Sequence, residues 1–121
     1  LLHWVERAPD RILFAQRPAT GAKGWDTISY GEMAGRIEAV GQALLDSPAS
    51  PERPVMILSG NSLDHATLAL AAMHVGVPYA PISPAYSLVS RDFAKLQGIA
   101  ADLTPGVVYA GDGAAFGAAI A

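Results

Sequence analysis

The sequence predicts an α/β fold of three layers, in which βα units form a mostly parallel sheet and a β-hairpin precedes them. The main observation is the segment Pro54–Pro84, whose pattern is strand, tight turn, helix, glycine stop and strand. A further apolar run, Gly106–Ala110, follows a later helical pattern. Alternating residues before position 30 predict the hairpin. Strands joined through a helix are parallel, and their crossover is expected to be right-handed.

The composition narrows the class of protein. Only 16% of the 121 residues are charged and 51% are hydrophobic, whereas a soluble domain has about 25% charged residues. We therefore expect apolar surface that promotes self-association. The net charge of −3 gives no basic patch for nucleic acid. The absence of cysteine excludes disulfides and thiolate metal sites and suits the cytoplasm. No apolar run approaches the roughly 20 residues of a membrane span.

The two ends of the sequence suggest a longer protein. The first residue is Leu1, and Gly117–Ala121 stops within an apolar pattern that has no helix cap. We interpret residues 1–121 as part of one domain that is truncated at its C-terminus.

The N-terminal segment is predicted to form a helix and then a hairpin. Residues Leu1–Ala8 have a helical pattern, which Pro9-Asp10 breaks. Residues 11–17 and 25–29 alternate as two strands, and residues 18–24 between them are rich in turn formers.

The segment Ser29-Tyr30-Gly31-Glu32 has the spacing of a capping box and predicts the start of a helix. The helix that follows ends at Ser47-Pro48. Its inward stripe is predicted to comprise Met33, Ile37, Val40 and Leu44.

The second helix, Leu63–Val75, is apolar nearly all round and is therefore predicted to be buried on more than one face. Gly76 should end it. One apolar stripe comprises Leu63, Ala66, Leu70 and Met73, and alanines that allow close packing fill much of the other side.

A third long helix should follow Tyr86, with Ser87 or Ser90 as its cap. Thr104-Pro105 should end it, and another helix is predicted from Ala114 onward. The inward residues of the third helix are predicted to be Phe93, Leu96 and Ile99.

Two glycine-containing turns could bind anions. Ser59-Gly60-Asn61-Ser62 lies between a strand and a helix, where free amides attract anions. Simple helix capping is the favoured interpretation, because Asp64 would repel a phosphate. Residues Gly111–Gly117 resemble a relaxed dinucleotide fingerprint. This too is disfavoured, since Asp112 places a carboxylate where the pyrophosphate would lie.

Other reactive residue types lack the required spacing. His65 and His74 lie nine positions apart on one helix and so cannot share a metal ion, and His3 is remote. No serine lies in a nucleophile elbow. Tyr86 could stack on a ligand, but packing beneath its own loop is the favoured interpretation. From the residues alone, the sequence predicts a fold and no reaction.

Three segments resemble the adenylate-forming enzymes of the acyl-CoA synthetase superfamily. Residues 4–11 resemble the opening segment of that family. Ile28–Met33 resembles its first core motif, and Ala72–Ile82 resembles its second. Residues 55–62 and 79–90 look most like feruloyl-CoA synthetases. The resemblance covers essentially the whole chain, and it implies the N-terminal subdomain of the acyl-CoA synthetase fold.

The resemblance implies a two-step reaction in the full-length enzyme. A carboxylate, ferulate or another hydroxycinnamate, attacks the α-phosphate of ATP to give an acyl-adenylate and pyrophosphate. The thiol of coenzyme A then takes the acyl group and AMP leaves. Mg²⁺ would neutralise phosphate charge.

The family's phosphate loop, nucleotide motifs, acyl pocket and catalytic lysine would all lie beyond Ala121. We therefore expect no catalytic residue, no metal ligand and no tightly bound cofactor in this chain. In some relatives the loop after the second motif lies near the nucleotide end of coenzyme A. Here that loop is Ser83-Pro84-Ala85, and Pro84 and Ala85 replace the glycines of those relatives.

Two other functions remain open from the sequence. One is a free-standing nucleotide-binding module that uses Gly111–Gly117. The other is a non-catalytic interaction domain, in which the apolar helix 63–75 recruits a partner.

Overall fold

The computed structural model describes all residues 1–121 as six helices and five strands. The strands are β1 (Ile12–Gln16), β2 (Asp26–Ser29), β3 (Val55–Leu58), β4 (Tyr79–Ile82) and β5 (Val107–Ala110). The helices are α1 (Leu2–Arg7), α2 (Tyr30–Leu45), α3 (Leu63–His74), α4 (Ala85–Leu88), α5 (Ala94–Leu103) and α6 (Gly117–Ile120). None of the six helices is long and apolar enough to cross a membrane.

The main sheet has the strand order β4-β3-β5, and both of its pairings are parallel. Strands β1 and β2 form a separate antiparallel hairpin, in which Gln16 lies opposite Asp26. The predicted α/β class, the parallel sheet and the N-terminal hairpin are therefore confirmed.

Strand β3 divides the hydrophobic core into two clusters. All four of its residues are buried. Val55 and Ile57 join the cluster formed with α2, α3 and the hairpin, and Met56 and Leu58 join the cluster formed with α5 and the segment before α6. Because successive side chains of a strand point to opposite faces, helices cover both sides of the sheet. This gives the predicted three layers.

Local sequence signals determine where α2 begins and where α3 ends. The Ser29 hydroxyl accepts a hydrogen bond from the Glu32 amide at 3.2 Å, and Glu32 Oε2 accepts from the Ser29 amide at 2.8 Å. The capping box is thus formed at the start of α2. Gly76, with φ of +74°, ends α3, and the Val77 amide donates to the Ala72 carbonyl at 2.9 Å.

The α2–α3 contact is close because its residues are small. A Cβ on Gly41 would lie 2.9 Å from Val75 Cγ1, and Ala71 and Ala72 are fully buried. The predicted stripe of α2 is confirmed at Met33, Ile37 and Leu44, while Val40 is half-buried and the next position on that face is the buried Gly41.

The hairpin is attached to α3 by a hydrogen bond that links residues far apart in the sequence. Gln16 Oε1 accepts from the Leu63 amide at 2.7 Å. Ile28, on the other strand of the hairpin, is 1% exposed within the first core cluster. The hairpin therefore packs on the helical layer and does not extend the main sheet.

The two edges of the main sheet differ. Strand β4 contains Pro81, which has no amide hydrogen to offer a further strand. Strand β5 contains neither proline nor a charged residue, and its Val108 is 47% exposed. Only the β5 edge keeps a complete set of backbone groups.

The predicted cap of the third long helix, Ser87 or Ser90, is corrected, because the short helix α4 lies before α5. Ser87 lies within α4, where it is buried, and caps nothing. The Ser90 hydroxyl accepts from the Phe93 amide, but Phe93 itself adopts a left-handed conformation before α5 begins. Asp92 instead accepts from the Ala94 amide at the first helical position. The inward positions are confirmed: Leu96 is buried, and Phe93 and Ile99 pack against the second core cluster.

Three further expectations are corrected. Helix α6 begins at Gly117 and not at Ala114, because Asp112 caps a turn over residues 112–116. Met73 is 56% exposed and not buried with its stripe. Trp25 precedes β2 and is 57% exposed.

Candidate functional site

A cleft between the hairpin and the start of α3 carries several polar side chains. Its volume is about 450 Å³. Residues 14–17 form one wall, and residues 61–63, 65 and 66 form the other. The Gln16–Leu63 hydrogen bond joins the two walls. A cleft of this size can hold a small organic ligand.

Arg17 is the only charged residue of this cleft and is held in place by two contacts. Its guanidinium carbon lies 4.0 Å from the centroid of the Trp25 ring. Its Nη1 donates to the Gly24 carbonyl at 3.2 Å. Stacking and a fixed hydrogen bond reduce the conformational freedom that binding would otherwise remove.

The opposite wall uses its serines for local structure. The Ser62 hydroxyl accepts from the His65 amide at 3.0 Å and so caps α3. Buried Ser59 donates to the neighbouring Gly60 carbonyl at 2.7 Å. His65 Nδ1 lies 3.2 Å from the same carbonyl, to which it can donate. The favoured capping interpretation of residues 59–62 is confirmed at Ser62.

The turn at Gly111 does not offer the amides of a dinucleotide site. The Gly111 amide donates to the Leu58 carbonyl at 2.9 Å. Asp112 Oδ1 accepts from the amides of Ala114 and Ala115 at 2.9 and 3.0 Å. A carboxylate of the chain itself thus occupies the position where a phosphate would have to bind.

The three residues implied by the resemblance to lie near coenzyme A follow the carboxyl end of β4. Ser83 is exposed, Pro84 precedes α4, and Ala85 is its first residue. Beyond them, Lys95 Nζ lies 5.2 Å from the centroid of the half-buried Tyr86 ring. Tyr86 also packs against the second core cluster.

The histidines lie apart. His3 packs edge-on against Trp4 at 5.3 Å, and His74 is exposed at the end of α3. No group of three histidine, cysteine or acidic side chains is placed to hold a metal ion.

Tyr109 lies outside the cleft, and the pKa of its hydroxyl is shifted. Burial raises the pKa of its hydroxyl, and the negative charge of Asp64 adds to the effect. Asp64 also lies 3.9 Å from Arg36 in an exposed ion pair. These groups line a groove of about 400 Å³ between α2 and α3.

Sequence reasoning missed the cleft because its two walls are far apart in the chain. Arg17 and His65 belong to no common motif, and they meet only because the hairpin packs on α3. The one available signal was Gln16, an uncharged polar residue on a strand face that otherwise carries Ile12 and Phe14.

Comparison with known proteins identifies the family. The family model described as "AMP-binding enzyme" matches residues 1–112. The carboxylic acid reductase of Mycobacterium marinum is 31% identical over 87 residues, which is 71% of this chain and 7% of the reductase. The tenellin synthetase of Beauveria bassiana is 27% identical over 109 residues, which is 87% of this chain and 2% of the synthetase.

Solved structures of adenylate-forming enzymes share the fold. A fatty acyl-adenylate ligase from Legionella pneumophila, in complex with acyl adenylate and pyrophosphate, matches with a TM-score of 0.75 and 19% identity. The alignment covers 88% of this chain and 18% of the ligase. ATP-bound MatB from Rhodopseudomonas palustris matches with a TM-score of 0.64 and 27% identity, over 84% of this chain and 18% of MatB.

The chain therefore spans less than a fifth of the length of each of these relatives. Its parallel sheet and its antiparallel hairpin match the N-terminal subdomain of adenylate-forming enzymes. With a family model that covers residues 1–112, this chain belongs to the AMP-binding enzyme family.

Proposed function

We propose that this chain is the N-terminal portion of an ATP-dependent acid–CoA ligase and that residues 1–121 are part of one larger AMP-binding domain. The observation that carries the proposal is the family match over residues 1–112. Within it, Ser29 and Glu32 form the capping box of the first motif, and Gly76 ends α3 within the second. The chain then contributes the scaffold of the ligase. The nucleotide-binding and catalytic groups lie elsewhere in that domain.

Our proposed substrate is ferulate or a related hydroxycinnamate, and the proposed cosubstrates are ATP and coenzyme A, with Mg²⁺. The support for this acid is the similarity of residues 55–62 and 79–90 to feruloyl-CoA synthetases. The proposed coenzyme A contact is the loop Ser83-Pro84-Ala85, with the Tyr86 ring and the Lys95 ammonium beside it. A cytoplasmic location is part of the same proposal, since these cosubstrates are intracellular.

The test measures pyrophosphate release in two samples. The 121-residue chain, incubated with ATP, Mg²⁺ and ferulate, should release none. The complete polypeptide that carries this chain should release pyrophosphate with ferulate and then form feruloyl-CoA. Turnover with a fatty acid or malonate, but not with ferulate, would reject the acid. Stable acyl-adenylate that never passes to coenzyme A would reject the CoA step, and activity of the 121-residue chain would reject the scaffold role.

We also propose that the isolated chain associates with itself through apolar surface. Val89 is 77% exposed and Leu88 is 49% exposed, and both lie at the C-terminal end of α4. Single exposed apolar residues are ordinary, but adjacent ones can form a contact surface.

A further inference from the structure

We propose that the outer face of the β1–β2 hairpin binds a second copy of this chain in a dimer with two-fold symmetry. In this dimer the cationic tip of each hairpin contacts an acidic groove at the base of the other hairpin. The contact needs neither ATP nor coenzyme A and does not depend on the ligase reaction. It also uses a different surface from Leu88 and Val89 at the end of α4.

One face of the hairpin is covered by the rest of the molecule, and the other is not. Residues opposite each other on paired strands share a face, and neighbours along a strand point to opposite faces. The inner face carries Ile28, which is 1% exposed, and Gln16, which accepts a hydrogen bond from the Leu63 amide. The outer face carries residues of which all but Ser29 are exposed: Ile12, Ala15, Arg17, Trp25, Thr27 and Ser29.

The tip of this outer face combines cations with an exposed aromatic ring. Residues 11–25 contain three of the eight cationic residues of the chain and none of its eleven acidic residues. Arg11 lies 5.5 Å from the Trp4 ring, so Arg17 and Lys23 supply the charge of the tip. The Arg17 guanidinium lies 4.0 Å from the Trp25 ring, which stays 57% exposed. Stacked arginine and tryptophan are typical of the centres of protein interfaces.

The base of the same face has the complementary character. A groove of about 310 Å³ is lined by Asp10, Ile12, Thr27, Ser29 and Glu32. Its two carboxylates are exposed, and no cationic residue lines it. Ile12 is 58% exposed and offers an apolar contact to a tryptophan ring. Two acids with an apolar residue at the base thus match two cations with an aromatic residue at the tip.

This arrangement is self-complementary about a two-fold axis. The base and the tip lie about five residues apart along β1, which is about 15 Å. An axis through Ala15 and Thr27 places each tip on the base of the other copy, so both contacts form together. The small side chains at the centre allow the two faces to approach. An anionic membrane or a nucleic acid fits less well, because Asp10 and Glu32 on the same face would repel it.

The experiment exchanges the charges of the two ends and measures mass by sedimentation equilibrium of the 121-residue chain. The tip variant carries Arg17→Glu and Lys23→Glu, and the base variant carries Asp10→Lys and Thr27→Lys. Each variant alone sets like charges against each other, so its dissociation constant should rise about tenfold or more above that of the parent dimer. An equal mixture of the two variants restores opposite charges and should form a heterodimer. Added salt should weaken the parent dimer.

The matched control carries Arg91→Glu and Lys95→Glu, which change the net charge as the tip variant does, at exposed positions outside the hairpin. It should dimerise like the parent, and circular dichroism verifies that every variant is folded. The proposal is overturned if the parent is monomeric or if the control weakens the dimer as much as the tip variant. It is equally overturned if the mixture associates no more than its separate components, which is the result expected for association through α4 or β5 alone.

Discussion

At the scale of single residues, the capping box of α2 has a measurable value. Ser29→Ala removes the acceptor of the Glu32 amide and should lower the free energy of unfolding by about 1 kcal/mol. Urea unfolding followed by circular dichroism measures the change. Ser83→Ala, at an exposed position outside any cap, is the control. Equal stability of the two variants would contradict the role of the cap.

The same capping box predicts a pH dependence. Hydrogen bonds from the Ser29 amide and hydroxyl, with a smaller effect from Arg36, hold the pKa of Glu32 below its ordinary 4.5. Because the pKa of Glu32 is lower in the folded state, the ionised carboxylate stabilises the fold above pH 4.5. This stabilisation is lost as the pH falls through the folded-state pKa. Glu32→Gln should therefore be less stable than the parent at neutral pH. The difference should shrink in strong acid, and a difference that grows in acid would refute this prediction.

Ser87 presents the opposite case, a hydroxyl that costs stability. It is 5% exposed, and its Oγ has no hydrogen-bond partner. Ser87→Ala removes an unsatisfied buried group and should raise the free energy of unfolding by about 1 kcal/mol. The midpoint of thermal unfolding should rise with it. A lower midpoint would show that the hydroxyl makes a stabilising contact.

At the scale of elements, the start of β5 requires glycine. A Cβ on Gly106 would lie 2.6 Å from the backbone Cα of Ala49, where no flexible side chain can move aside. Gly106→Ala should therefore destabilise the protein by about 1–3 kcal/mol. The matched control is Gly98→Ala within α5, where the new Cβ meets nothing within 4 Å. It should stabilise by up to about 1 kcal/mol. Both are measured by urea unfolding, and a harmless Gly106→Ala would contradict the close packing.

The elements that could be predicted are those whose ends are set locally. Helix α3 begins at the Ser62 cap and ends at Gly76, and both signals are visible in the sequence. Helix α4 was missed because four residues are too short for a periodic pattern. The start of α6 was placed too early because the Asp112 turn imitates a helix start. Met73 was misplaced because a helix that is apolar all round does not show which apolar residue faces water.

At the scale of the whole molecule, the exposed edge of β5 is a surface through which two chains can associate. An edge strand without charge or proline can pair with another chain. We expect the average mass of the isolated chain in sedimentation equilibrium to rise with concentration. Val108→Lys, which places a charge on β5, should reduce the association that uses this edge. Leu45→Lys, at an exposed site on α2, should not. Monomeric parent protein at all concentrations would contradict the self-association.

The fold of the molecule followed from the sequence, whereas its candidate cleft did not. Hydrophobic periodicity and helix caps act over a few residues, so each βα unit can be predicted from its own residues. The cleft depends on Gln16 reaching the Leu63 amide, 47 positions along the chain. Such a contact exists only in the packed molecule.

The central position of β3 limits how its amide hydrogens exchange with solvent. Strands flank it on both edges, and helices cover it on both faces. Its amide hydrogens can therefore exchange with deuterium only when the entire sheet opens, while those of β4 and β5 can escape through smaller openings. Deuterium retention at Val55–Leu58 would then report the global unfolding equilibrium directly.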